Sequence, residues 1–139
     1  MARDPLATLI RLRQRALHDA QRTLVDCIAV EAQAKAATDE AERAIARETE
    51  AASCTTGSDA VVEAFAAWLP GARDRVEAAR REWESLQAET ARARASIAAC
   101  RTALESVETL RRERQQKAQH AREHRLQLEL EGRRGTADE

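Results

Sequence analysis

From Val62 to Val107 the chain repeats apolar or small residues at alternating steps of three and four: Val62, Phe65, Leu69, Ala72, Val76, Ala79, Trp83, Leu86, Thr90, Ala93, Ile97, Cys100, Leu104 and Val107. This is the a/d seam of a helix that packs lengthwise on another helix. An earlier stretch carries the same period more weakly. Ile10, Leu17, Leu24, Glu31, Thr38, Ile45 and Ala52 recur at sevens, with Arg13, Ala20, Cys27, Ala34, Ala41 and Glu48 three residues further on. Asp4 followed by Pro5 is a helix start, a capping carboxylate before a residue whose missing N–H costs nothing there. The cluster from Ser53 to Asp59 is rich in turn formers and ends in Ser58 and Asp59, either of which can cap a second helix. The pattern therefore predicts helix 1 over about 5–52, a turn at 53–59, helix 2 over about 60–130 and a disordered tail at 131–139. "WLPGAR", residues 68–73, interrupts the second helix. The seam keeps phase across it, which favours a kink near residue 70 over a separate short helix at 59–69.

Two long helices joined by so short a turn run antiparallel. The expected fold is all-α, an antiparallel two-helix coiled-coil hairpin forming a single rod-like domain with a longer, overhanging second helix. A turn centred near residue 56 sets residue i across from about 112 minus i, with Leu6 opposite about residue 106. Past Val107 the seam positions become Arg111, Arg114, Ala118, Ala121 and Arg125. Such residues suit a helix that nothing covers, and residues 108–130 would project by about 33 Å.

Composition sharpens this picture. Of 139 residues, 34% are charged and only 2% aromatic, and much of the hydrophobic 43% is Ala, which favours helix but buries little area. A layered globular core is excluded, and a thin seam is expected. The formal net charge of −1 hides an uneven distribution. Residues 3–22 hold five basic and two acidic groups, and residues 111–125 six and two. Residues 26–50 hold three and seven, and residues 59–89 four and seven. No apolar run is long enough for a membrane span and the start lacks a signal-peptide core. Cys27, Cys54 and Cys100 show neither metal-ligand nor disulfide spacing. The expected location is cytoplasmic.

Candidate chemistry is sparse. His120 and His124 stand four apart, but "HAREH" lacks the Glu placement of a zinc protease helix and no third ligand is implied. They read as solvated side chains, and so does His18. No phosphate-binding Gly-rich loop and no nucleophile with a partnering base are present, so no catalytic residue, metal or cofactor is expected. The basic segments contain no aromatic residues for base stacking, which argues against nucleic acid. Cys27, Cys100 and Trp83 fall on the seam and read as packing residues. Trp68 lies one residue off it and fits either the core or, with Phe65 and Leu69, a small docking surface.

Three segments resemble a known family. "PLATLIRLRQRALHDAQRTL" near the start, "FAAWLPGA" after the turn and "ALESVETLRRERQ" toward the end are similar in kind and order to the FliJ and SctO (YscO) central-stalk proteins of flagellar and virulence type III export. The resemblance implies a non-enzymatic stalk. Its end with both termini would enter a hexameric export ATPase and promote its assembly or activity, and its turn-proximal part would meet the cytoplasmic domain of the export gate at the membrane. Carried onto this chain, the ATPase-binding candidates are Arg11, Arg15, Arg111, Arg112, Arg114 and Lys117. The gate-binding candidates are Phe65, Leu69, Ala72 and Val76, which also fall on the seam. "LELEGRR" departs from the acidic ending common in that family. Two other classes remain open on the residues alone: a cytoplasmic export chaperone or adaptor that binds substrates or partner helices, and a generic coiled-coil oligomeriser.

Overall fold

The computed structural model describes residues 4–54 and 58–137. It consists of two helices packed against each other as a hairpin, α1 (Pro5–Cys54, 50 residues) and α2 (Asp59–Ala137, 79 residues), with no strand among the described residues. The fold is all-α, as the repeat predicts. The chain divides into two compact units, one made of Met1–His18 with Ala98–Glu139 and the other of Asp19–Ile97. We refer to them as the terminal unit and the turn-side unit.

Helix ends follow local chemistry. The Leu6 N–H donates to Oδ1 of Asp4 at 3.0 Å, and the Thr8 N–H donates to the Asp4 carbonyl at 3.3 Å, so Asp4 is the N-cap and Pro5 the first helical residue. At the start of α2 the Ser58 carbonyl accepts from the N–H groups of Val61 (3.2 Å) and Val62 (3.4 Å), which makes Ser58 the capping position and puts Asp59 in the first turn, where a negative charge is favoured. The middle of the expected turn, residues 55–57, lies outside the described residues.

The α1 seam matches the heptad pattern. Ile10 and Thr38 are buried, and Leu17, Ala20, Leu24, Cys27, Glu31, Ala34, Ala41, Ile45 and Ala52 are half-buried. Arg13 and Glu48 stand at seam positions but are exposed, because a long charged side chain can lay its stem along the seam edge and keep its head in water. On α2, Ala72, Val76, Thr90, Ala93 and Ile97 are buried, and Phe65, Leu69, Ala79, Trp83, Leu86, Cys100, Leu104 and Val107 are half-buried. Val62 is an exception. It is 54% exposed, so Phe65 is the first half-buried seam residue of α2.

The two buried polar residues are both threonines on the seam, and each satisfies its hydroxyl within its own helix. Thr38 Oγ1 donates to the Ala34 carbonyl and Thr90 Oγ1 to the Leu86 carbonyl, both at 3.0 Å. Burying them therefore strands no donor. The trade is a smaller apolar area in an already thin seam.

α2 is one helix through Pro70, in keeping with the favoured reading, and the alternative of a separate short helix at 59–69 is not formed. Pro70 has no N–H to offer the Ala66 carbonyl, but both residues are exposed, and water can take the freed acceptor. Two other sequence expectations need correction. The helix continues to Ala137 where a disordered tail was expected from residue 131. Gly132 and Gly135 each disfavour helix by about 1 kcal/mol relative to Ala, but no proline intervenes, and Glu129 stands four residues before Arg133, the favourable order of charges. The covered part of α2 also runs one turn further than expected. Its last half-buried residue is Arg111, and every described residue from 112 to 137 is exposed. Arg111 Nε lies 3.2 Å from Oδ2 of Asp4, a reach that spans the extra turn.

Asp4 thus uses one carboxylate oxygen to cap α1 and the other to hold Arg111 of α2. The ion pair is half exposed and its N–H is not aligned for a hydrogen bond, so the cap outweighs it. In urea unfolding, Asp4→Ala should cost about 1–2 kcal/mol. Asp4→Asn, which keeps a capping oxygen but drops the charge, should cost under about 1 kcal/mol, as should Arg111→Ala. Equal costs for Asp4→Ala and Asp4→Asn would show that the ion pair, not the cap, fixes this end.

Candidate functional site

The terminal unit carries 13 Lys/Arg against 9 Asp/Glu in the sequence, a net charge of +4. Five of the six ATPase-binding candidates are exposed: Arg11 and Arg15 on α1, and Arg112, Arg114 and Lys117 on α2. Arg11 and Arg15 share one face of α1, where they line a shallow depression with Asp4, Ala7, Thr8 and Leu12. Arg11 Nε donates to the Ala7 carbonyl of its own helix at 3.5 Å, and an Arg112 guanidinium nitrogen donates to Thr109 Oγ1 at 3.3 Å. These are weak, local contacts that an incoming acidic group can displace. Arg111 stands apart from this set, because its Nε is buried and faces Asp4.

The face of α2 that forms the seam does not end at Val107; it changes chemistry. Continuing the same three-and-four spacing brings Arg111, Arg114, Ala118, Ala121 and Arg125 into line, with Arg122 alongside. Where α1 no longer covers it, the stripe that is apolar further up becomes mostly guanidinium. At 1.5 Å per residue, residues 112–137 span about 39 Å of helix with no covering partner among the described residues. Leu126, Leu128 and Leu130 are more than half exposed along it.

The histidines fit the sequence reading. His120 Nδ1 lies 3.7 Å from an oxygen of Glu123, with the His120 side chain 80% exposed. Among the described residues no group of three or more His, Cys, Asp or Glu side chains is placed to hold a metal ion. No helix among them is long and apolar enough to cross a membrane.

The gate-binding candidates divide in two. Ala72 and Val76 are 4% and 6% exposed, so the hairpin does not open at Pro70 and neither side chain is available to a partner. Phe65 and Leu69 are half-buried. Trp68 combines the two roles open to it in the sequence. It is half-buried, its ring lies 6.0 Å from that of Phe65 at a 38° tilt, and its remaining face borders open grooves on the turn-side unit. Trp83 is a seam residue as expected, with Lys35 Nζ 6.0 Å from its ring centroid.

Sequence reasoning missed the charge cluster on α1. An Arg47 guanidinium nitrogen donates to Glu40 at 2.7 Å across two helical turns, and Arg43 adds a 3.8 Å ion pair to the same carboxylate. Seven-residue spacing on one helix could have suggested the first pair. Together with the Arg80 hydrogen bonds to Glu42 across the two helices, these contacts engage Arg43, Arg47 and Arg80 of the turn-side unit.

Comparison of the chain with protein-family models, with curated proteins and with solved structures returns no match. The class that fold and surface define is an all-α helical hairpin with an exposed, net-basic terminal unit.

Two measurements follow from this geometry. A chain that ends after Arg111 should keep the thermal midpoint of the full chain within a few degrees, since residues 112–137 cover nothing; a large drop would reveal a hidden contact. The Arg47 hydrogen bond, with a smaller contribution from its charge, holds the Glu40 carboxyl below its ordinary value of 4.5. The folded form therefore gains from an ionised Glu40 above pH 4.5 and loses that gain as pH falls through the lowered value. An NMR titration should find the Glu40 midpoint below 4.5, returning toward it in Arg47→Gln.

Proposed function

We propose that this protein is a non-enzymatic stalk of a type III export apparatus. In this reading the terminal unit enters the ring of a hexameric export ATPase and promotes its assembly or activity, and the turn-side unit engages the cytoplasmic domain of the export gate. The observation that carries the reading is the guanidinium-lined stripe of α2 beyond Val107, solvent-exposed from Arg112 on, together with Arg11 and Arg15 on the same compact unit. The resemblance of three segments, in order, to the FliJ and SctO family supports it independently.

The physics of such a contact favours weak, adjustable binding. Exposed guanidinium and ammonium groups steer an acidic partner over a distance set by salt and add little tight affinity each. A single helix also presents different residues to different subunits of a ring, so one bound stalk makes the subunits inequivalent. Of the gate-binding set, Phe65 and Leu69 remain as contact residues, since Ala72 and Val76 are buried in the hairpin.

The test is ATPase stimulation by the purified chain. Reversing Arg112, Arg114 and Lys117 to Glu should abolish stimulation of the cognate hexameric ATPase while leaving the helical circular dichroism unchanged. Arg111→Glu belongs in a separate experiment, because it also disturbs the Asp4 contact. Undiminished stimulation by the triple variant at low salt would overturn the electrostatic reading.

A further inference from the structure

The turn-side unit carries a surface of which the stalk reading uses only Phe65. Trp68 stands between two depressions on it. One is lined by Ala52, Ala60, Val61, Ala64 and Phe65 with Glu48 at its edge; the other is lined by Ala37, Ala41, Ala44 and Ala72, with Glu40 and Arg75 at its edge. Both have Trp68 as a wall, so together they form one groove between α1 and α2 with a floor made almost wholly of alanine. Alanine leaves holes and supplies no knobs. A helix laid into this groove can approach closely, and the bulky apolar side chains that fill it must come from the visitor.

Charge decides what kind of visitor. Residues 39–63 hold seven Asp/Glu and two Arg, a net charge of −5. Both of those arginines, Arg43 and Arg47, are turned onto Glu40. Glu48, Glu50, Asp59 and Glu63 are exposed and make no ion pair among the described residues. Of these, Glu48 lines the turnward depression; Glu50, Asp59 and Glu63 project from other faces of their helices and act on it only through their field. An apolar groove with Glu48 on its rim, set in a segment of net negative charge, matches a helix with large apolar side chains on one face and Lys or Arg beside them.

We propose that the groove around Trp68 is a docking site for a basic amphipathic helix of another protein. Its apolar residues fill the alanine-lined depressions on either side of the indole, and its cations meet Glu48 and the negative field of residues 39–63. The inference rests on the groove's own residues, and its test shares no variant with the ATPase assay, so the two can fail separately.

The test uses the full chain with Trp83→Phe, so that Trp68 is the only indole, and circular dichroism confirms the fold of each variant. Titration with a short amphipathic helical peptide of Leu and Lys should shift Trp68 emission to the blue. Its affinity should fall at least tenfold between low and high salt, and at least tenfold in the double variant Glu48→Lys, Glu63→Lys. Ala64→Phe, which fills the groove without changing charge, should also weaken binding at least tenfold. If Ala64→Phe unfolds the chain, Trp68→Ala with a fluorescently labelled peptide replaces it, with the same loss expected. Equal binding of the matching Leu and Glu peptide would overturn the proposal, as would full affinity in the groove variant. So would sedimentation showing a dimer that shields Trp68 before peptide is added, because a second copy would then be the occupant.

Discussion

Everything in this structure follows from an apolar stripe two residues wide in every seven that must find a partner of equal length. Neither helix could bury it alone, and neither is rich enough in large side chains to form a second layer. α1 has 50 residues and α2 has 79, so the partner runs out before α2 does. The sequence of α2 changes at that limit. Apolar seam residues persist to Val107, Arg111 is half-buried against Asp4, and from residue 112 onward each described residue is exposed. The chemistry of the stripe tracks whether something lies across from it.

A thin seam has energetic consequences. Its buried apolar residues among those described are Ile10, Ala72, Val76, Ala93 and Ile97, two of which are alanines with little area to hide. Much of the helical content must therefore rest on backbone propensity, which the abundance of Ala, Glu, Arg and Leu supplies, and on caps such as Asp4. Salt bridges add little, because their side chains are all between 40% and 80% exposed. A helix held mainly by propensity frays readily where it has no partner. That places the lowest local stability in the segment with the greatest density of exposed basic groups.

How much of this was legible in the sequence depends on how local the cause was. The helix start at Asp4 and Pro5 is written in adjacent residues, and the heptad positions are written in a period, so both could be read directly. Burial at Ala72 and Val76 followed from that same period. A contact role for them is what the family resemblance implies, and their burial in the hairpin leaves neither side chain free for it. What the sequence concealed needed a third dimension. The reach of Arg111 to Asp4 joins residues from opposite ends of the chain. Likewise, the groove beside Trp68 is made by alanines that look, one by one, like ordinary helix filler.

The same alanines explain why one surface can be both featureless in sequence and selective in space. Large residues on a hairpin face would bring a tendency to aggregate, whereas alanine exposes little apolar area until a partner supplies the missing volume. Trp68 and Phe65 are the large aromatic side chains that line the groove, and their rings lie 6.0 Å apart. The site is then preorganised at one point and empty on both sides of it, so affinity depends on the visitor's shape. The surrounding carboxylates act at longer range. They raise the encounter rate for cationic helices and repel acidic ones, including the acidic stretches of other copies of this chain. Selectivity in such a surface comes from joining a nonspecific field to a hole of particular size, and neither alone would suffice.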